Sequence, residues 1–193
     1  MAQVKTIAVD LDDTLNDFSV KLQETCFAYD PSYAISKETF DSYIERLRGD
    51  APDPSELLST EYSYFSYKIH HLCYDLAVAR PDGVKFMQWL RANQWRIVIC
   101  THRDLRRAYG STKKWLEANG IPFDHLFMAA NKLEFCWMWG IEYLVDDHSF
   151  YICNGSSYGV KVFYPTMFKH EKLPPNHATG FQTFDEVIPW IQS

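Results

Sequence analysis

The chain has 193 residues, enough for one well-cored domain or for one domain carrying a modest insertion. Hydrophobic residues make up 47% of it and aromatic residues 16%, which excludes a disordered chain and argues for a packed globule. With 19 basic against 25 acidic residues the formal net charge is −6, so duplex nucleic acid is not expected as a partner, and a small polyanion would need neutralising locally by a metal or a few placed cations.

The five cysteines, Cys26, Cys73, Cys100, Cys136 and Cys153, are odd in number, widely spaced and set mostly in apolar runs. No pair has zinc-ligand spacing and no disulfide framework is indicated, so they read as buried reduced thiols of a cytoplasmic protein. The first predicted strand begins almost at Met1, which leaves no room for a signal peptide, and no apolar stretch approaches a membrane span. A soluble, cytoplasmic protein is expected. Its oligomeric state is not legible.

Residues 4–9 form a short apolar run of the kind found in parallel strands covered on both faces. The next stretch, 16–80, reads as helical, with candidate helices at 18–29, 37–48 and 54–79. The third has Asp53 as N-cap, Pro54 at the first helical position and Glu56 two residues on, and its apolar face runs through Leu58, Tyr62, Phe65, Ile69, Leu72 and Leu76. Pro81 is expected to stop it.

From there the pattern alternates. A helix at 83–93 leads to a strand at 95–100, and a helix at 105–119, closed by Gly120, leads to a strand at 125–129. A helix at 132–139, closed by Gly140, leads to a strand at 141–145. A short helix or turn near 149–158 leads to a strand at 160–164, and a last helix starts at Thr183 with Glu186 completing a capping box. Such alternation predicts an α/β fold with a Rossmann-like, doubly wound parallel sheet. The predicted division is a core of 1–15 and 81–193, with 16–80 as a small all-helical cap inserted after the first strand.

Ligands of doubly wound sheets sit outside the carboxyl ends of the strands, so the residues just after each strand carry the functional reading. The first strand is followed by Asp10, Asp12, Asp13 and Thr14, three carboxylates within four positions. As turn acids they would repel one another, which raises a pKa or calls for a cation. The second strand is followed by Thr101, His102, Arg103 and Asp104, the third by Asn131 and Lys132 at a helix start, and the fourth by Asp146 and Asp147. Carboxylates at Asp10 and Asp146, with waters, suit Mg²⁺. One free carboxylate can attack phosphorus in line, and a second, two residues on, can protonate the leaving oxygen and then activate water. Thr101 and Lys132 supply donors to a phosphate, with His102 beside them. Lys113 and Lys114 lie mid-helix and read as solvated. The bland reading of the aromatics in 16–80, among them Phe18, Tyr62 and Phe65, is helix packing; the functional one is a stack on a base. His70 and His71 lack ligand spacing; Arg103 and the loop 165–172 could reach a substrate's phosphate or sugar, but nothing in the sequence shows that they do.

The series "DLDDTL" at 10–15, Thr101 after "RIVIC", Lys132 and "LVDD" at 144–147 resembles the four motifs of the haloacid-dehalogenase-like phosphatases, in order and at strand ends. The resemblance implies that Asp10 is the nucleophile and Asp12 the general acid/base. Mg²⁺ would be held by Asp10, the main-chain carbonyl of Asp12, and Asp146, with Asp147 holding a metal-bound water or lying just behind the ligands. Thr101, His102 and Lys132 would bind phosphate. Within that superfamily the phrasing of 111–147 is similar to the 5′(3′)-deoxyribonucleotidases, which implies a nucleoside 5′-monophosphate or deoxynucleotide as substrate. His102 stands where those enzymes usually have a small hydroxyl residue, and Asp13 where they often have glycine. Phosphatases of a 3′-phosphate end or a sugar phosphate are the alternatives, as is a non-catalytic binding protein on the same scaffold.

Overall fold

A computed structural model of the protein describes residues 4–22, 70–167 and 178–192. One sheet of six parallel strands organises the described residues: β1 (Thr6–Val9), β2 (Arg96–Thr101), β3 (His125–Met128), β4 (Tyr143–Val145), β5 (Lys161–Pro165) and β6 (Ala178–Phe181), in the spatial order β3-β2-β1-β4-β5-β6. The five predicted strands are present with ends shifted by a residue or two. β6, with its Ala-Thr-Gly-Phe sequence, is a sixth that the apolar pattern does not announce.

Both faces of the sheet are buried, which is why its central strands read as unbroken apolar runs. Ile7, Val9, Ile97, Ile99 and Val145 point to one face, where they meet Phe86 and Leu90 of α2 (Pro81–Ala92), Trp115 and Leu116 of α3 (Leu105–Ala118), and Val187 and Ile191 of α6 (Val187–Gln192). Ala8, Val98, Cys100, Leu144 and Val162 point to the other. There they meet Leu133 and Cys136 of α4 (Lys132–Trp139), and Tyr151 and Ile152 of α5 (Ser149–Asn154). Period-two alternation within each strand thus feeds two separate cores. Cys73, Cys100 and Cys136 are buried and Cys153 is half-buried, none of them in a disulfide.

Local signals close the elements as expected. Asp104 caps α3 by accepting from the backbone N–H groups of Arg106 and Arg107, and Gly140 ends α4 in the left-handed conformation. The Thr183–Glu186 capping box is formed, although it opens a 3₁₀ turn, Phe184–Glu186, that passes into α6.

The segment 16–80 is described only at its two ends. Residues 18–22 are helical, and α1 (His70–Leu76) lies within the predicted third helix; the helix at 37–48, the remainder of the other two and the aromatics Tyr62 and Phe65 lie outside the described residues. The two ends meet at the sheet. Asn16 and Ala79 form an antiparallel bridge, Asp17 N–H donates to the Val78 carbonyl at 3.1 Å, and Val78 N–H donates to the Asp17 carboxylate at 2.6 Å. This pairing corrects the expected role of Pro81. α1 ends at Leu76, short of the proline, because Val78 and Ala79 are drawn into the bridge. Pro81 opens α2 instead, where its missing N–H costs nothing.

Gly155 shows how tightly the second core is closed. A Cβ there would stand 2.4 Å from Val162 Cγ2 and 2.9 Å from the Val160 carbonyl oxygen, whereas one at Gly110, in α3, would meet nothing within 4 Å. Gly155→Ala is expected to lower unfolding stability by about 1–3 kcal/mol through overpacking. Gly110→Ala is expected to raise it by up to about 1 kcal/mol through helix propensity. Denaturant unfolding of the two variants measures both; equal effects of one sign would contradict the packing described.

Candidate active site

The strand ends converge because β1 and β4 are neighbours in register. Val9 pairs with Val145, so the next residues, Asp10 and Asp146, leave the sheet side by side. Asp10 N–H donates to the Val145 carbonyl and Asp146 N–H to the Phe163 carbonyl, which fixes both backbones before the chain turns away. After Asp10 the chain winds around the Leu11 carbonyl, which accepts from the N–H groups of Thr14, Leu15 and Asn16. Asp13 takes a left-handed φ of 61° in this turn, a conformation in which Asp is one of the tolerated residues. Its carboxylate accepts from the backbone and hydroxyl of Ser19 and so faces the start of helix 18–22. The left-handed turn and the contacts to Ser19 together account for an acid at this position.

Lys132, the first residue of α4, is buried with its ammonium 2.7 Å from Asp10 Oδ1 and 2.7 Å from Asp146 Oδ2. The Tyr151 ring lies 5.0 Å from the ammonium, and the Tyr151 hydroxyl donates to the Ala130 carbonyl in the turn that leads into Lys132. The second oxygen of Asp146 accepts from His148 N–H at 2.9 Å, and Asp147 accepts from the Thr14 hydroxyl at 3.3 Å. One carboxylate oxygen from each of Asp10, Asp146 and Asp147 lies within 4.8 Å of the others, all three side chains being buried.

One ammonium does not balance three buried acids. Burial, then Asp146 and Asp12, push the Asp10 pKa up to about 7 against the pull of Lys132. Burial, then Asp13, Asp10 and Asp146, hold Asp147 well above the usual carboxylate range. Burial would lower Lys132, but Asp10 and Asp146 outweigh it and keep the ammonium charged. Hard oxygen donors that repel one another are a fit for a divalent cation, and Asp10, Asp146 and Asp147 are the residues that would hold it.

Thr101 ends β2 buried, and its hydroxyl oxygen accepts from Arg103 N–H at 3.3 Å, which leaves the hydroxyl's own proton as a donor. His102 is exposed at the same strand end, its pKa lowered by partial burial and by the nearby Lys132 ammonium. Asp12 stands apart from the three-acid cluster. Its carboxylate accepts from Arg103 Nε at 2.8 Å, from Arg103 Nη2 at 2.5 Å and from Asn16 Nδ2 at 3.2 Å. Arg103 therefore does not reach outward as the sequence suggests. It is buried against the Tyr74 ring, because a guanidinium next to a carboxylate and an aromatic face gains more there than in water. No local signal announces the pairing, since Asp12 stands 91 positions from Arg103. Phe18 is also buried, packed on Tyr74 with ring centroids 5.3 Å apart.

The proton balance of the site gives a test without any substrate. Asp10 has a folded-state pKa above its unfolded value, so its contribution to stability is present below pH 4 and is lost as the pH rises through about 7. Metal-free wild type is expected to lose melting temperature over that range relative to Asp10→Asn, which has no such proton to release. Magnesium should raise the wild-type melting temperature above pH 7 and leave Asp146→Asn unmoved. Parallel curves for wild type and Asp10→Asn, or an equal magnesium shift in Asp146→Asn, would contradict the cluster.

No family model matches the sequence, and no curated protein matches it. Solved structures do match. A haloacid dehalogenase-like hydrolase, SP0104 from Streptococcus pneumoniae, superposes over 100% of both chains with a TM-score of 0.62 and 17% identity. The candidate HAD-hydrolase YfnB from Bacillus subtilis, in a magnesium-bound form, covers 100% of both chains with a TM-score of 0.65 and 13% identity. A candidate β-phosphoglucomutase from Thermotoga maritima covers 98% of this chain and 99% of its own, with a TM-score of 0.66 and 12% identity. L-2-haloacid dehalogenases are also among the matches. At such identities the likeness is one of architecture: the chain has the Rossmann-like α/β fold of the haloacid-dehalogenase-like hydrolases.

Proposed function

We propose that the protein is a Mg²⁺-dependent phosphomonoesterase that works through an aspartyl phosphate on Asp10. The observation that carries this reading is the Lys132 ammonium set 2.7 Å from both Asp10 and Asp146, with Asp147 in the same cluster. It unites a nucleophile, a cation cradle and a donor for phosphate oxygens at one point. A cation held by Asp10, Asp146 and Asp147, with the Asp12 carbonyl, would offset the charge of an arriving phosphate dianion. The second oxygen of Asp10 then attacks phosphorus in line, and the ester oxygen departs with a proton from Asp12. Asp12 next takes a proton from the water that attacks the acyl phosphate, which returns Asp10 and frees inorganic phosphate. Thr101 and Lys132 donate to the oxygens that gather charge in the transition state, and His102 flanks them at the mouth.

The substrate class rests on resemblance. The segment 111–147 is similar to the nucleotidase members of the superfamily, which supports a nucleoside 5′-monophosphate or deoxynucleotide over a sugar phosphate or a 3′-phosphate end. In this reading 16–80 is the cap that chooses among them.

Dehalogenation is the second reading, favoured by the dehalogenases among the structural matches. A carboxylate nucleophile serves either reaction. Halide, however, leaves as an anion and needs no proton, so of the two roles of Asp12 only that of base for the hydrolytic water would be used. Phosphate release from p-nitrophenyl phosphate and a nucleotide panel, beside chloride release from 2-chloropropionate, separates the two and also tests for a silent binding protein. The expected outcome is phosphate release that stops in excess EDTA. Asp10→Asn should abolish it and prevent trapping of a beryllofluoride mimic of the acyl phosphate. Full turnover in EDTA, or halide release alone, would refute the proposal.

A further inference from the structure

Among the described residues, Arg103 is a fully buried charge beside the site that stands outside the cluster of Lys132 and its acids. It is a guanidinium with no exposure, beside a site that already holds a buried lysine. Its three nitrogens are all assigned. Nε and Nη2 form a fork on the two oxygens of Asp12, Nη1 donates to the Thr112 hydroxyl of α3 at 3.1 Å, and the Tyr74 ring of α1 lies 3.9 Å from Cζ. Its own backbone N–H is tied to Thr101. The plane of the guanidinium is thus fixed by its face, by one edge and by its root, and the remaining edge faces Asp12.

We propose that Arg103 is the positioning residue of Asp12, holding that carboxylate on the site side of the Leu11 turn and away from the cluster of Asp10, Asp146 and Asp147; this rests on the phosphomonoesterase reading above. Asp12 needs such a partner for a physical reason. It sits two residues from Asp10 and repels it, so an unpartnered carboxylate would turn to solvent or compete for the cation. A bidentate guanidinium fixes direction as well as charge, which a lysine cannot do. Asn16 Nδ2 takes a further lone pair, and the Asp12 side chain keeps 22% of its surface exposed, which leaves an edge for a proton to pass. Arg103 itself has no exposed surface with which to meet a substrate.

The arrangement also ties Asp12 to the inserted segment. Tyr74 stands on α1, where the segment returns to the core, and Phe18, where it departs, packs on Tyr74. Phe18, Tyr74, Arg103 and Asp12 form one stack from the two ends of the segment to the carboxylate.

The test is a kinetic double-mutant cycle with magnesium present, using phenyl phosphate, whose leaving group needs a proton more than p-nitrophenolate does. Arg103→Lys keeps the charge and loses the fork. It should lower kcat on phenyl phosphate by about 10- to 100-fold, the range in which a misaligned acid/base acts, with a smaller loss on p-nitrophenyl phosphate. KM should stay within about twofold, since a buried side chain does not bind substrate. In an Asp12→Asn background the same change should cost less than about twofold, because the group it acts through is gone. Tyr74→Leu, which touches no reacting group, should lower kcat in the same direction by less, and covers the case in which the Arg103 variant fails to fold. A loss that is equal in both backgrounds, or that falls on KM, overturns the positioning role while the phosphatase reading stands. A folded wild type that releases no phosphate from either ester overturns the phosphatase reading, and the role with it.

Discussion

A buried ammonium held between two carboxylates is the constraint around which the rest of the structure is arranged. Lys132 is buried, and removing a cation from water costs several kcal/mol unless its partners are close and well placed. The partners here come from two adjacent central strands, so their separation is set by sheet register and hardly at all by loop conformation. The lysine arrives from the first turn of α4, whose other residues, Leu133 and Cys136, are locked into the second core. Disturb the register of β1 against β4, or slide α4 along the sheet, and a charge is left unpaired in a dry interior. The packing of two apolar cores thereby acquires a tolerance of a fraction of an ångström at one point.

That point remains under-neutralised. Asp147 joins Asp10 and Asp146, and burial first, then the neighbouring acids, push the carboxyls of Asp10 and Asp147 upward. Sites that store repulsion in this way are prepared for a charged visitor, since the protein has already met the cost of assembling the ligands. Asp12 is kept out of this crowd by its own counter-ion, so the two kinds of carboxylate, crowded and clamped, stand near each other with different electrostatic surroundings.

How much of this is legible in the sequence depends on whether the controlling physics is local. The strands β1, β2, β4 and β5 announce themselves because two-sided burial writes an unbroken apolar run; the acids and Thr101 stand at the ends of these runs, and Lys132 opens the helix that follows β3. β6 escapes, since Ala-Thr-Gly-Phe at a sheet edge carries little apolar signal. Pro81 reads as a stop although the forces that end α1 are bonds to Asn16 and Asp17, some sixty positions earlier, which no local window contains. Arg103 misleads for the same reason. Its partners Asp12 and Tyr74 are distant in sequence, and an arginine at a strand end looks solvent-directed until the fold supplies a carboxylate and a ring. Asp13 is the converse case, a local conformational demand disguised as a chemical one.

The bridge between Asn16 and Ala79 has a consequence for how such a chain can change over time. Because the two strands of the stem are hydrogen-bonded where they meet the sheet, the core experiences the intervening chain as a loop already closed at its base. Closure entropy grows only logarithmically with loop length, so each doubling costs about 0.6 kcal/mol. Segments of very different size can therefore be spliced between residue 22 and α1, beyond the contact of Phe18 with Tyr74, at little cost to the folding of the sheet. The stem and the residues packed on it work as a socket: chain inserted beyond them can be exchanged, while the residues that surround Lys132 feel no change in register.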